Sequence, residues 1–243
     1  MPNTNLHAAK RAKNDEFYTQ LENIEAELWH YREHFRGKVV YCNCDDPRMS
    51  NFFRYFSLNF EALRLKRLIT TCFKNQNADL FSHHDSEQAV WLEYEGDKDG
   101  NRMPDPDEIE VRTLKGDGDF RSAECVDLLC EADIVVTNPP FSLFREYVTQ
   151  LMGHGKKFLI IGSMNAITYK EIFPLIRDGQ LWLGYGFERG NAYFGVSDTS
   201  VYEGKPYFDS STGLVKFRNA AYYKDGVAKM AYKRIFIRSR GPH

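Results

Sequence analysis

The chain has 243 residues, of which 42% are hydrophobic and 27% charged, and its formal net charge is −2. This composition is typical of a folded globular protein and excludes the disordered and collagen-like classes. Apolar runs such as 134–136 and 158–161 are far shorter than the roughly 20 residues that span a bilayer. The N-terminal segment lacks the apolar region of a secretory signal. We therefore expect a cytoplasmic protein.

Five cysteines occupy positions 42, 44, 72, 125 and 130. An odd number of cysteines without a signal peptide favours free thiols in a reducing compartment. The Cys42-Asn43-Cys44 pair lacks a second cysteine or histidine pair at zinc-binding spacing, and the polar stretch 83–85 is a poor substitute. We expect no metal site.

Hydrophobic periodicity predicts helices and strands that alternate along the chain. Helical spacing runs from about Asp15 to Phe35 and ends before Gly37. The next predicted elements are strand 38–42, helix 50–59, strand 66–73, a hairpin within 88–114, helix 122–130, strand 133–137, helix 143–152 and strand 157–162. This alternation predicts an α/β fold with a mostly parallel sheet and helices on both faces. The short, aromatic segments after residue 180 predict antiparallel additions at the sheet edge.

Charge is unevenly distributed along the chain. Residues 87–119 contain eleven acidic side chains against four basic ones, whereas residues 213–240 contain eight basic side chains against one acidic one. The net charge argues against nucleic-acid binding by bulk electrostatics, but the basic C-terminal segment is suited to phosphates. A solvated surface is the alternative interpretation.

The tetrapeptide Asn138-Pro139-Pro140-Phe141 directly follows a predicted strand. Ligands bind beyond the carboxyl ends of strands in open α/β sheets. Two prolines stiffen the loop, and the Asn138 side-chain oxygen with a neighbouring carbonyl offers two acceptors to an exocyclic amine. Phe141 can stack on the ring that carries the amine. The structural alternative is a Pro-Pro turn that only ends the strand.

Longer strings around this tetrapeptide resemble the EcoRI-like family of adenine-specific DNA methyltransferases. They are NDEFYT (14–19), YCNCDD (41–46), GDGDFRS (116–122), VTNPPFSLFREY (136–147) and FLIIG (158–162). The resemblance implies a Rossmann-like, S-adenosylmethionine-dependent methyltransferase fold. It also implies transfer of a methyl group to the N6 amine of a flipped-out adenine in double-stranded DNA. A restriction endonuclease that acts separately is a possible partner.

The resemblance assigns cofactor contacts to three segments. The first closes over the methionine end of the cofactor, the second forms the turn after the first strand, and the third receives the adenine. The assigned residues are Asn14, Phe17, Tyr18 and Thr19, then Asn43, Asp45 and Asp46, then Asp119 and Phe120. The structural alternatives for the three segments are, in order, a helix start, a surface turn and a polar turn. The second segment lacks the glycine-rich loop that the superfamily usually has after the first strand. No carboxylate follows the second strand, so the ribose partner is unassigned.

The resemblance also implies a division of the chain near residue 180. Residues 1–180 form the cofactor-binding and catalytic core, and residues 181–243 form edge strands and a partial DNA-contacting region. The basic residues expected to contact phosphates include Lys216, Arg218, Lys233, Arg234, Arg238 and Arg240. Relatives usually continue well beyond the region matching 216–219, so we expect salt-sensitive DNA binding with relaxed sequence choice.

Two alternatives remain open at the level of the residues. The same acceptor geometry fits another planar amine or amide, such as cytosine N4, an RNA base or a glutamine side chain. A catalytically silent nucleic-acid-binding relative is the other alternative, although the intact tetrapeptide argues against it.

Overall fold

The computed structural model describes residues 17–44, 50–71, 89–101, 104–187, 191–196 and 198–226. The strands are β1 (Phe17–Thr19), β2 (Val39–Cys42), β3 (Arg67–Thr71), β4 (Val90–Tyr94), β5 (Ile109–Thr113), β6 (Ile134–Thr137), β7 (Lys157–Ser163), β8 (Leu181–Leu183), β9 (Asn191–Val196), β10 (Phe208–Asp209), β11 (Leu214–Arg218) and β12 (Ala220–Asp225). The α-helices are α1 (Leu21–Leu28), α2 (Asn51–Leu58), α3 (Phe60–Leu63), α4 (Ala123–Glu131), α5 (Phe144–Gly153) and α6 (Phe173–Arg177). Within these ranges, no helix is both long and apolar enough to cross a membrane.

Eight strands form a large mixed sheet in the order β5-β4-β3-β2-β6-β7-β12-β8. The four central strands, β3, β2, β6 and β7, are parallel, and every other pairing in this sheet is antiparallel. The prediction of a mostly parallel sheet therefore holds only for the centre. The antiparallel additions that were also expected are present: the hairpin β4–β5 forms one edge, and β12 and β8, from the chain after residue 180, form the other.

The central strands are buried because helices cover both faces of the large sheet. All four residues of β2 and of β6 are buried. One face packs against α1 and α2 through Ile24, Leu28, Phe52 and Phe56, and the other packs against α4 and α5 through Leu128, Leu129, Tyr147 and Leu151. This two-sided burial explains why the strands consist of continuous apolar runs.

Helix starts follow the local sequence signals. The Ser50 hydroxyl accepts a hydrogen bond from the Phe53 amide at the start of α2, and Ser122 does the same for Cys125 at the start of α4. Serine at this position satisfies an amide that the helix itself leaves unpaired. The predicted helices 50–59 and 122–130 are therefore confirmed to within a residue or two.

A second, four-stranded sheet has the order β1-β9-β11-β10 with antiparallel pairing. Its first strand contradicts the prediction of one helix from Asp15 to Phe35. Residues 17–19 pair with β9, helix α1 begins only at Leu21, and a 3-10 segment follows over Trp29–Phe35. Pairing with a strand almost two hundred residues away overrides the local helical spacing.

The chain after residue 180 contributes to both sheets. Strands β8 and β12 extend the large sheet, whereas β9, β10 and β11 form most of the small one. The functional division at residue 180 stays a prediction. Cys125 and Cys130 are free thiols in the part of the chain that the structure describes, as expected for these two cysteines.

Gly162 allows α5 to pack closely on β7. A methyl group added at Gly162 would lie 2.4 Å from the ring of Phe144, which is the first residue of α5 and is 1% exposed. A side chain at position 162 would therefore displace the helix that directly follows the Asn-Pro-Pro-Phe loop.

We expect Gly162→Ala to lower the free energy of unfolding by about 1–3 kcal/mol, because it overpacks a filled core. Urea denaturation should show a lower midpoint with an unchanged m-value. The control is Gly153→Ala at the end of α5, where an added methyl group meets no atom within 4 Å. Equal stability of Gly162→Ala and the wild-type protein would contradict the close packing.

Candidate functional site

The carboxyl ends of β2 and β6 lie side by side at the centre of the large sheet. After β2 the chain passes to β3 on one side of β2, and it later returns to the other side as β6. Such a switch point leaves a crevice between the loops that leave the two strands. Asn43 directly follows β2, and Asn138 directly follows β6.

Asn138 has its side-chain donor bound and its acceptor free. Its Nδ2 donates to the backbone carbonyl of Phe17 in β1. The residue is only 6% exposed, and its Oδ1 has no hydrogen-bond partner among the residues that the structure describes. Because buried polar atoms are nearly always paired in native proteins, an unpaired Oδ1 marks an acceptor that is available to a ligand.

The two prolines hold the loop between β6 and α5. Pro139 is buried and Pro140 is partly buried. The Pro140 carbonyl accepts from the Leu143 amide at 3.0 Å and thereby starts the short 3-10 turn Phe141–Leu143.

Phe141 packs against aromatic residues of the small sheet. Its ring centroid lies 6.0 Å from that of Phe17, 5.7 Å from that of Phe217 and 6.4 Å from that of Phe194. Phe17 and Phe217 are closer still, at 4.4 Å. The small sheet therefore covers the loop with one aromatic face, to which Phe194 and Phe217 contribute although the sequence did not single them out.

Asn43 connects the switch point to helix α5. Its Oδ1 accepts from the hydroxyl of Tyr147, and its backbone carbonyl accepts from the hydroxyl of Thr137. Burial raises the pKa of the Tyr147 hydroxyl well above its usual value. The structure thus places Asn43 at the switch point, where it is buried and its side-chain oxygen is hydrogen-bonded to Tyr147.

Asp119 and Phe120 lie at the start of the turn that precedes α4. The carboxylate of Asp119 accepts from Nη2 of Arg121 at 2.5 Å and from Nε at 2.8 Å. These hydrogen bonds hold the pKa of Asp119 below its usual value. Phe120 is 7% exposed, and its ring centroid is 5.0 Å from that of Tyr147, which links this turn to Asn43.

Arg121 is a residue that the sequence analysis missed. It pairs with Asp119 and also reaches Glu146 at 3.3 Å. Together with Phe120 and part of α5 it lines an open cleft with a volume of about 650 Å³. Its position two residues after Asp119 was the only signal that could have indicated the pair.

The remaining predicted site residues lie on β1, on β11 or outside the described part of the chain. Thr19 is 2% exposed, and its hydroxyl has no hydrogen-bond partner within the described ranges; Tyr18 lies between Phe17 and Thr19 on β1. Lys216 and Arg218 lie on β11, opposite Tyr193 and Asn191 of β9. Seven predicted residues lie outside the described part of the chain, namely Asn14, Asp45, Asp46, Lys233, Arg234, Arg238 and Arg240.

The family model described as "Adenine-specific methyltransferase EcoRI" matches residues 5–240. The chain belongs to this family. It is 53% identical to the type II methyltransferase M.EcoRI of Escherichia coli over 193 residues, which are 79% of this chain and 59% of the relative. It is 41% identical to M.MpnI of Mycoplasma pneumoniae and 38% identical to M.MgeORF184P of Mycoplasma genitalium. These alignments cover 82% of this chain and 56% and 57% of the two relatives, respectively.

The chain therefore spans little more than half the length of these three type II methyltransferases. No solved structure matches it. The resemblance seen in the sequence is confirmed at the level of the family.

Proposed function

We propose that the chain transfers a methyl group from S-adenosylmethionine to the N6 amine of an adenine in double-stranded DNA. The observation that carries this proposal is the state of Asn138, whose amide nitrogen is bound to the Phe17 carbonyl while its buried Oδ1 is unpaired. An exocyclic amine has two N–H donors to place. The Oδ1 of Asn138 and the carbonyl of Pro139 are two acceptors on adjacent residues.

The sheet supports a Rossmann-like cofactor fold at its centre. The parallel order β3-β2-β6-β7 has its switch point between β2 and β6, the strands that Asn43 and Asn138 directly follow. Folds of this class bind their cofactor beyond the carboxyl ends of the strands at such a point. The antiparallel strands β12 and β8 extend the sheet away from this crevice.

The residues around the crevice fit S-adenosylmethionine. The buried, unpaired hydroxyl of Thr19 offers a hydrogen-bonding group on β1, and the Asp119 carboxylate with the Phe120 ring suits an adenine amine and its ring. We assign Phe17, Tyr18, Thr19, Asn43, Asp119 and Phe120 to this site, with Asn14, Asp45 and Asp46 as further members from the sequence. When bound, the cofactor supplies a methyl group activated by its sulfonium.

The protein's own contribution is positioning and polarisation. Asn138 and Pro139 accept the two amine hydrogens, orient the nitrogen lone pair and stabilise the positive charge that develops on N6. Phe141 stacks on the base, and Pro140 stiffens the loop. A base inside a duplex cannot reach a buried acceptor, so the adenine is flipped out of the stack before transfer.

The small sheet offers a basic surface for the DNA backbone. Lys216 and Arg218 alternate along β11 with Val215 and Phe217, so they lie on the face opposite the aromatic cluster at Phe141. The Lys216 ammonium lies 5.5 Å from the ring centroid of Tyr193, which is 40% exposed. We propose that this face contacts phosphates, together with Lys233, Arg234, Arg238 and Arg240.

Asn138→Ala should abolish methyl transfer and lower cofactor affinity far less, because Asn138 contacts the target amine and reaches the cofactor site only through the Phe17 carbonyl. Transfer of labelled methyl groups to DNA and calorimetric titration with S-adenosylmethionine measure the two quantities. The control is Asn165→Ala, which removes an exposed asparagine side chain. Retained turnover in Asn138→Ala would remove the central assignment.

Asp119→Ala should raise the cofactor dissociation constant roughly tenfold or more, because hydrogen bonds to charged groups contribute about 1.5–3 kcal/mol. Its matched control is Arg121→Ala, which leaves the carboxylate in place and frees it from its ion pair. Calorimetry should find that this control binds the cofactor at least as well as the wild-type chain. Equal weakening by both variants would show that the pair only holds the turn.

Lys216→Ala combined with Arg218→Ala should weaken DNA binding and flatten the slope of log K against log salt by roughly 2, since each phosphate contact contributes about 0.9. Lys66 and Lys157 are exposed cations at the amino ends of the parallel strands β3 and β7. They therefore lie at the end of the large sheet opposite the carboxyl ends that carry Asn43 and Asn138. Their double alanine variant is the control. The same slope for both double variants, measured by fluorescence anisotropy, would contradict a DNA face on the small sheet.

A further inference from the structure

Strand β1 is bound along both of its edges. On one side it pairs with β9, where Tyr18 lies opposite Gly195. On the other side no strand of the described chain pairs with it. Two asparagine side chains occupy that edge instead: Asn138 donates to the carbonyl of Phe17, and Nδ2 of Asn51 donates to the carbonyl of Thr19 at 2.8 Å.

The two asparagines come from the two sides of the switch point. Residues two apart on a strand turn their carbonyls to the same edge, so Phe17 and Thr19 present a matched pair of acceptors. Asn138 belongs to the loop after β6, and Asn51 is the first residue of α2, the helix that follows β2. A three-residue strand is thus fixed to the large-sheet layer at both of its ends.

Asn51 is held in place by its own helix. Ser50 caps α2 by accepting from the Phe53 amide, and Phe52 is 1% exposed in the core. Neither end of the Asn51–Thr19 bond can therefore move without disturbing packed structure. Any displacement of β1 would move the Phe17 carbonyl, the group that orients the amide of Asn138.

We infer that Asn51 is a positioning residue for methyl transfer. It fixes β1 through Thr19, so that the Phe17 carbonyl holds the nitrogen of Asn138 and turns its Oδ1 towards the target amine. This inference rests on the proposed function, because it assigns the acceptor role to Asn138. Asn51 itself contacts neither the amine nor the base.

The test compares three variants at saturating DNA and S-adenosylmethionine in single-turnover experiments. Asn51→Ala should slow methyl transfer about fivefold to tenfold, the effect of losing one neutral hydrogen bond. Asn51→Asp keeps the shape of the side chain and the start of the helix but cannot donate, so it should slow transfer as much. Asn59→Ala is the matched control, because Nδ2 of Asn59 donates to the Tyr55 carbonyl at 2.9 Å at the other end of the same helix.

Amide hydrogen exchange supplies a readout that does not depend on activity. Asn51→Ala and Asn51→Asp should accelerate exchange in the peptide covering residues 17–20, whereas Asn59→Ala should leave that peptide protected. Unchanged exchange there, or transfer as fast as in Asn59→Ala, would overturn the inference. A wild-type chain that transfers no methyl group would instead contradict the proposed function, and the exchange data would still decide whether Asn51 anchors β1.

Discussion

The hydrogen bond from the Asn138 amide to the Phe17 carbonyl is the interaction on which the site depends. It joins the loop at the centre of the large sheet to the edge strand of the small one. An asparagine side chain can rotate to exchange its oxygen and nitrogen, and the carbonyl of Phe17 accepts only the nitrogen. Among the described residues, one backbone acceptor thus decides that Nδ2 is bound and that Oδ1 is the atom without a partner, as the proposed acceptor role requires.

The two sheets that this bond joins contribute different parts of the site. The large sheet supplies the switch point, and its buried strands form a rigid support for Asn43 and Asn138. The small sheet supplies the Phe17 carbonyl and the aromatic face against Phe141 on one side, and Lys216 with Arg218 on the other. The Asn-Pro-Pro-Phe loop and the basic residues thus lie on the two sides of the small sheet, an arrangement that fits the proposed flipping of a base out of a duplex whose backbone stays outside.

The sequence predicted features whose causes are local. Apolar runs predicted the central strands, hydrophobic spacing predicted α2 and α4, and two consecutive prolines after a strand indicated the loop at Asn138. Strand β1 could not be predicted in this way. It pairs with β9 along one edge, and side chains from two distant segments bind its other edge. Long-range pairing has no local signature, and helical spacing over residues 15–35 pointed to a helix instead.

The same limit applies to the residues around the site. Asp119 stood out as a candidate ligand for an amine, but its ion pair with Arg121 depends on the geometry of a turn. The sequence contains many aromatic residues and does not distinguish Phe194 and Phe217 from the others. Both contact Phe141 because β9 pairs with β11. Composition and spacing indicate which chemistry is available, whereas the contacts that orient it come from the packing of segments far apart in the chain.

The most direct test of this account is to incubate the purified chain with isotopically labelled S-adenosylmethionine and DNA of mixed sequence, and then to map the modified bases by long-read sequencing. The account predicts label only on the N6 atom of adenine, at positions that share a sequence context. Label on cytosine N4, or no incorporation by a chain that binds the cofactor, would contradict the assignment of Asn138 and its loop to an adenine amine.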